Sequence, residues 1–185
     1  MERVEEQIPA LRERAGITLT ADSPEYRALC EWGQDGNWTS RYANDHDVTP
    51  TRLNLAIAEA LLKILQLATT TGQHDQSDWG HSRESCGTTC CGGGWLIFLA
   101  DLCDWSGDAP YARVLEAKRY SGGPIKAPYD ARPPLRALAG YLLGVNGHDA
   151  YYLFYRATEV QFIAELTRRI LEEKSLQMHE AASEA

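Results

Sequence analysis

Apolar residues recur at helical spacing over a long central segment of the chain. From about Pro50 to Thr71, aliphatic side chains cover most of a helical wheel. The polar residues of this segment fall on one narrow stripe: Arg52, Glu59, Lys63, Gln66 and Thr70. This pattern is typical of a central helix that is buried on most sides. Thr49 can cap the first turn, Pro50 suits the first helical position, and Gly72 can end the helix.

A second long helix is predicted from Ala157 to Met178, because apolar residues repeat there at helical intervals. Shorter helices are predicted where a cap residue or proline precedes a helical pattern and a glycine follows it. These segments are Glu25 to Trp32, Tyr111 to Tyr120 and Leu135 to Leu143. Trp95 to Trp105 is interpreted as a buried helix, although its composition would also suit a strand. Residues 121–134 are rich in glycine and proline and are predicted to form a surface loop.

Together these elements predict an all-α fold. We expect a single-domain helical bundle over residues 1–185, with a long connection rich in Cys, Gly and Trp. Residues 1–20 and 179–185 are expected to be peripheral or frayed. A chain of 185 residues with 44% hydrophobic residues is large enough to bury one substantial core.

Charge and hydropathy narrow the range of partners. The chain has 18 basic and 26 acidic residues, so its formal charge is 18 − 26 = −8, which disfavours duplex nucleic acid. No apolar run reaches the roughly 20 residues of a membrane span, and the acidic start lacks the features of an export signal. We therefore expect a cytoplasmic protein. A protein partner is expected, and self-association stays open; the aromatic run Tyr151 to Tyr155 suits burial between helices or a partner surface.

The segment from Gln73 to Trp95 joins two predicted helices and concentrates reactive residue types. Loops of this length in compact domains are usually functional or disordered, and the tryptophan and cysteine content argues against disorder. One interpretation is a tetrahedral zinc site, whose candidate ligands are His74, His81, Cys86, Cys90 and Cys91. The spacing contains no Cys-x-x-Cys pair. The competing interpretation is that the cysteines are small buried side chains in a tight turn.

A further hypothesis is thiol catalysis by Cys86 or Cys91. A cysteine that leads into the first turn of a helix has its thiolate stabilised by free N–H groups. His81 is the first candidate for the general base, and His148 and His46 are the others. The Cys-Gly-x-x-Cys pattern superficially resembles the nucleophile turn of papain-like proteases but differs from it in spacing.

Two weaker patterns complete the candidate chemistry. His46, then His74-Asp75, then Asp149 loosely follow the order of metal ligands in the HD family of phosphohydrolases, to which the chain is similar in this respect only. The run Gly92 to Gly94 lacks the Lys-Ser/Thr of a phosphate-binding loop. We therefore predict that this run allows close packing against another helix.

A longer pattern covers roughly residues 75–156. It reads Trp79…Cys86-Gly87-Thr88-x-x-Cys91-x-x-Gly94-Trp95 and is followed by Leu142-Leu143-Gly144 and Leu153-Phe154-Tyr155. It resembles a group of uncharacterised small proteins from actinobacteria and their phages, which carry Trp…Cys-Gly-Thr-x-x-Cys-x-Ala-Gly-Trp. Gly93 stands here in place of the usual alanine. The resemblance implies an accessory or phage-encoded role, in the host cytoplasm if the protein is phage-encoded, and it singles out Cys86 and Cys91. The function expected is binding of another protein, with the cysteine loop as a structural or zinc-stapled feature.

Overall fold

The structure is a computed structural model that describes residues 3–20, 22–26, 52–75, 81–83, 87–106, 109–112 and 135–183. The all-α prediction is confirmed, and two short antiparallel hairpins occur among the described helices. The helices are α1 (Val4–Ala15), α2 (Leu55–Thr71), α3 (Gly92–Leu99), α4 (Leu135–Leu143), α5 (Gly147–Tyr151) and α6 (Glu159–Ser183). A π-helical turn (Tyr152–Arg156) continues α5. The strands are β1 (His81–Arg83), β2 (Gly87–Thr89), β3 (Cys103–Ser106) and β4 (Ala109–Ala112).

Helix α2 lies at the centre of the bundle, in contact with α1, α3, α4 and α6. The polar stripe predicted for it is exposed from Glu59 to Thr70, whereas Leu61, Ile64 and Leu65 are fully buried. The hydrophobic period therefore identified the orientation of this helix correctly, because each buried position faces a neighbouring helix.

The predicted start of α2 at Pro50 is wrong. The helix begins at Leu55, and Asn54 is its cap: the Asn54 side chain accepts a hydrogen bond from the Ile57 N–H at 3.3 Å. The Asn54 N–H itself donates to the Leu143 carbonyl at 2.9 Å. This tertiary bond holds residue 54 in an extended conformation, so the helix cannot extend further toward the N-terminus.

Helix α6 runs antiparallel to α2. Near its start, Glu159 accepts a hydrogen bond from the hydroxyl of Thr69 at 2.6 Å. Further along, Lys174 pairs with Glu59 at 2.5 Å. Phe162, Leu166 and Ile170 fill the interface with the core. The helix starts two residues later than Ala157 and continues past Met178 to Ser183.

Helix α1 had no counterpart among the predicted helices, and residues 1–20 were expected at the periphery. The structure instead buries Val4, Ile8, Leu11 and Ala15 against the core. Arg12 donates hydrogen bonds to two carbonyls at the end of α3, at 2.6 and 3.2 Å. A cation at the carboxyl end of a helix satisfies carbonyls that lack partners within the helix, so α1 also helps to end α3.

The hairpin of β3 and β4 corrects two helix predictions. Strand β3 pairs with β4 in the register Asp104↔Tyr111 and Trp105↔Pro110. The predicted helix Trp95 to Trp105 therefore ends at Leu99, and no helix begins at Tyr111. In the sequence, Asp108 and Pro110 suit the start of a helix at Tyr111. However, Gly107-Asp108 is also a dipeptide that favours a two-residue hairpin turn, and the two signals compete.

Helix α4 has the predicted bounds, Leu135–Leu143, and Gly144 ends it in the left-handed conformation with φ +75°. Its carboxyl end lies against the start of α2. None of the described helices has both the length and the apolar composition of a membrane span. The predicted helix Glu25 to Trp32 and loop 121–134 lie mostly or wholly outside the described residues.

Candidate functional site

The cysteine-bearing connection starts from a buried amide. Gln73 follows α2 and is 4% exposed. Its Oε1 accepts hydrogen bonds from the Val4 N–H at 3.2 Å and from the Thr71 hydroxyl at 3.0 Å, while its Nε2 donates to Glu5 at 2.8 Å. A buried amide with its hydrogen bonds made has little freedom to rotate. Gln73 thus fixes the beginning of α1 to the end of α2.

The two ends of the connection meet through their backbones. The Cys90 N–H donates to the Gln73 carbonyl at 3.1 Å, and the Asp75 N–H donates to the Cys90 carbonyl at 3.2 Å. His74 and Cys90 thereby form a parallel bridge. Between these ends, β1 and β2 pair as a hairpin, with His81 opposite Thr89. The described part of the connection is therefore an ordered, hydrogen-bonded structure, in keeping with the composition that argued against disorder.

Cys91 is the N-cap residue of α3. Its Sγ accepts a hydrogen bond from the Gly94 N–H at 3.4 Å, and its carbonyl accepts from the Trp95 N–H at 2.9 Å. The predicted position, a cysteine that leads into the first helical turn, is the one observed. Cys91 is only 2% exposed and Cys90 only 1%. Because a nucleophile must reach its substrate, this burial favours a capping role for Cys91 over a catalytic one.

The glycine run forms the first turn of α3 and allows a close helix contact, as its sequence suggested. A Cβ built on Gly92 would lie 2.7 Å from Cζ of Phe162 in α6, which is closer than carbon atoms approach each other. Trp95, in the next turn, is fully buried and packs edge-on against Phe98, with ring centroids 6.0 Å apart. The core role predicted for Trp95 is confirmed.

The predicted metal ligands are brought together only in part. His74 and Cys90 are backbone neighbours, and Cys91 follows them. In the described stretches, no three His, Cys, Asp or Glu side chains are grouped to hold a metal ion. Cys86 and the side chain of His81 lie outside what the structure describes, so zinc binding by these residues stays a prediction.

The alternative bases and the HD-like order have little support in the described geometry. His148 is almost fully exposed, 3.8 Å from a carboxylate oxygen of Asp149. Asp149 in turn accepts a hydrogen bond from Arg169 at 2.9 Å, so its charge is used in an ion pair of the bundle. His46 lies outside the described residues. His74 and Asp75 lie in the connection, as predicted, and not on a core helix.

The aromatic run Tyr151 to Tyr155 is buried on one side and exposed on the other, and its role as a partner surface stays a prediction. Leu153 and Phe154 are buried in the core, whereas Tyr151, Tyr152 and Tyr155 are exposed. The rings of Tyr151 and Tyr155 stack on each other with centroids 5.8 Å apart.

Sequence reasoning missed a further exposed surface, which lies on α6. It consists of uncharged side chains on one face of the helix, all exposed except the half-buried Ser175. We call this set the outer stripe: Val160, Ala164, Leu171, Ser175, Met178 and Ala182. Val160, Leu171 and Met178 are 77%, 63% and 67% exposed. Their spacing was visible in the sequence, but it could not be separated from the buried face next to it without the packing of α6.

Comparisons with protein-family models, with curated proteins and with solved structures found no match to this chain. The resemblance to small actinobacterial and phage proteins accordingly stays a prediction.

Proposed function

We propose that the protein acts by binding another protein, and that an amphipathic helix of the partner packs along the outer stripe of α6. The observation that carries this proposal is the exposure of three large aliphatic side chains, Val160, Leu171 and Met178, in one line on a surface helix. Single exposed apolar residues are common on protein surfaces, but an aligned set is typical of an interaction face.

The spacing of the stripe favours a helix as the partner. Successive positions are separated by 4, 7, 4, 3 and 4 residues, which is close to the repeat by which two helices pack along each other. From Val160 to Ala182 the stripe is about 33 Å long at about 1.5 Å per residue. A helix binding in this mode uses anchors at such intervals.

The end of α6 gives independent support. No residue described after Glu173 is buried, yet the helix continues for ten residues to Ser183. A short helical extension gains little stability from its own backbone hydrogen bonds. A partner helix beside the stripe would bury Leu171 and Met178 and stabilise this extension.

The charges beside the stripe are already paired within the chain. Arg168 bonds to Glu165 at 2.6 Å and also to Glu172. The face therefore offers apolar contact without unpaired charge at its edge, which suits a partner helix with an uncharged seam. A second copy of this chain is a poorer occupant, because each copy carries a formal charge of −8.

Site-specific photo-crosslinking in the native host tests the proposal. A benzophenone side chain at position 171 is expected to give one covalent adduct of defined mass with a different protein. Leu176 supplies the matched control, because it is also exposed (55%) but lies about 140° away around the helix. The same probe at position 176 is expected to give little of that adduct.

Substitution provides the second arm of this experiment. Leu171→Glu should weaken binding of the identified partner at least tenfold, whereas Leu176→Glu should change it less than twofold. Equal crosslinking at both positions, or equal loss of binding in both variants, would overturn the assignment. An adduct with twice the mass of this chain would instead identify a second copy of the chain as the partner.

A further inference from the structure

A cavity opens at the amino-terminal end of α2, far from the cysteine-bearing connection. Its volume is about 810 Å³, which is within the range of small-molecule sites. The segment after α1, the start of α2, the end of α4 and the second half of α6 form its walls. The outer stripe of α6 contributes no residue to it, so the cavity is a separate feature of the molecule.

The wall combines apolar surface with a few charged groups. The apolar part comes from aliphatic side chains of three elements: Ile17, Leu19, Leu53, Leu55, Ile57 and Leu142. Among the described residues, the charged lining residues are Glu25, Glu59, Glu173 and Arg52, whose charges sum to 1 − 3 = −2. A site of this kind binds an apolar body and orients it by one or two polar contacts.

Arg52 is not available to an anionic ligand. Its Nε donates to Glu173, which is 4% exposed, at 2.6 Å, and its Nη2 donates to Glu180 at 2.8 Å. All three guanidinium nitrogens are engaged, since Nη1 also donates to Glu180 at 3.3 Å. The positive charge in the wall is thus compensated by two carboxylates.

Of the three carboxylates in the described part of the wall, Glu25 is the one left to contact a ligand. Glu59 pairs with Lys174 at 2.5 Å, whereas Glu25 is exposed and forms no ion pair within the described ranges. Tyr141 lies on the same wall. The pKa of its hydroxyl is raised above the ordinary value, first by burial and then by the negative charge of Glu25, so the phenol stays a neutral hydrogen-bonding group.

We propose that this cavity binds a small organic cation, an amine carried on an apolar body. The ammonium group would lie near Glu25 and the Tyr141 hydroxyl, and the apolar body would lie against the aliphatic wall. The net charge of the lining and the acidic balance of the whole chain both attract cations and repel anions of the same shape.

Calorimetry on the full-length protein with three probes of one shape tests this assignment. Phenethylamine is the cation, 2-phenylethanol is the neutral analogue, and 3-phenylpropionate is the anion. We expect the amine to bind at least tenfold more tightly than the alcohol and the anion not to bind measurably. Equal binding of amine and alcohol, or tighter binding of the anion, would overturn the proposal.

Two variants locate the binding. Glu25→Gln should weaken binding of phenethylamine by three- to tenfold, and Ala56→Trp, at an exposed position of the wall, should abolish it by filling the cavity. Glu13→Gln is the matched control, because Glu13 is exposed on α1 and does not line the cavity. Circular dichroism checks that each variant is folded. Binding that is unchanged in both cavity variants, or weakened equally by Glu13→Gln, would show that the amine binds elsewhere.

Discussion

The two ends of α2 are closed in different ways. At the carboxyl end, the Gln73 amide and the backbone bridge between His74 and Cys90 join the chain to α1 and α3. We call this the neutral end, because an uncharged amide and backbone groups close it, although the amide also donates to the Glu5 carboxylate. At the amino-terminal end, Arg52 links the residues before α2 to two carboxylates of α6, and a cavity lies beside this ion pair. The neutral end is thus closed by hydrogen bonds of an amide and the backbone, and the amino-terminal end, which we call the ionic end, combines ion pairs with open space.

Both ends depend on a glycine, but the neighbouring atoms differ. Gly92 faces the ring of Phe162, a side chain that can shift. Gly144 faces the carbonyl oxygen of Arg52, which would lie 2.1 Å from an added Cβ. A side chain can yield by a rotamer change, whereas a backbone held by hydrogen bonds cannot. The ionic end, despite its cavity, therefore contains the less tolerant backbone contact.

The largest effect is therefore expected for Gly144→Ala. The substitution combines the steric conflict with a left-handed conformation, φ +75°, and should lower the free energy of unfolding by at least about 3 kcal/mol. Urea denaturation followed by circular dichroism measures this change.

Gly72→Ala is the control for that experiment, at the opposite end of the same helix. Gly72 has a similar φ of +71°, but no atom lies within 4 Å of its added Cβ. Replacing Gly72 by alanine should lower the free energy of unfolding by about 1 kcal/mol, because only the left-handed conformation is unfavourable there. Equal losses in the two variants would mean that the contact of Gly144 with Arg52 is not tight.

Gly92→Ala should cost about 1–3 kcal/mol, because the ring of Phe162 must move away. Phe162→Leu alone removes buried aromatic contact and is destabilising as well. In the double variant the smaller side chain at position 162 leaves room for the new methyl group. The sum of the two single-variant losses in unfolding free energy should therefore exceed the loss measured for the double variant. Strict additivity in denaturation experiments would contradict the close approach of α3 and α6.

The sequence predicted more of the fold than of the candidate sites. The orientation of α2 and the bounds of α4 followed from apolar period and from proline and glycine signals, which act locally. The start of α2 was wrong because the bond from Asn54 to Leu143 decides it, and these residues are far apart in the chain. Helix α1 shows apolar residues at Val4, Ile8 and Leu11, but Pro9 within it weakened the helical signal.

The candidate sites depend even more than the fold on contacts between residues that are far apart in the chain, so less of them could be predicted. The position of Cys91 at the start of a helix could be predicted because the glycine run and the apolar helix follow it directly. The cavity brings together Glu25, Arg52, Tyr141 and Glu173, which share no local pattern. Such a site becomes visible only when the packing of four separate elements is known.

A smaller effect is expected for the cysteines of the neutral end. Cys91→Ala removes the cap of α3 and should cost about 1 kcal/mol. In the intact protein, Cys90 and Cys91 should react with iodoacetamide on the order of 100-fold more slowly than in denaturant, because the buried segment must first open. Mass spectrometry after peptide digestion measures each cysteine separately.

The same samples distinguish the remaining hypotheses about the connection. Stoichiometric zinc by elemental analysis, together with protection of Cys86, would support a metal staple. Rapid alkylation of Cys86 in mildly acidic buffer would support a nucleophile. Fast labelling of Cys91 in the folded protein would contradict its role as a buried cap.

The smallest effect on stability is expected for Glu165, which forms ion pairs on α6, and it depends on pH. Hydrogen bonds from Arg168, and then from Arg169, lower the pKa of Glu165 from 4.5 to about 2, against the opposing effect of burial. A carboxylate whose folded pKa is depressed adds stability above its unfolded pKa and loses that contribution as the pH falls. The contribution of Glu165 should therefore be complete above about pH 5 and disappear between pH 4.5 and about 2.

Glu165→Gln should accordingly flatten the fall in stability across this pH range, by about 1 kcal/mol for a partly exposed ion pair. Glu13→Gln, at an exposed position of α1, is the matched control and should leave the slope unchanged. Denaturation curves at pH 6 and pH 3 measure both variants. If the free energy of unfolding falls equally between pH 6 and pH 3 in the two variants, Glu165 is not held by the two arginines. The ion pairs of α6 would then make stability no more sensitive to acid than the contacts of the neutral end do.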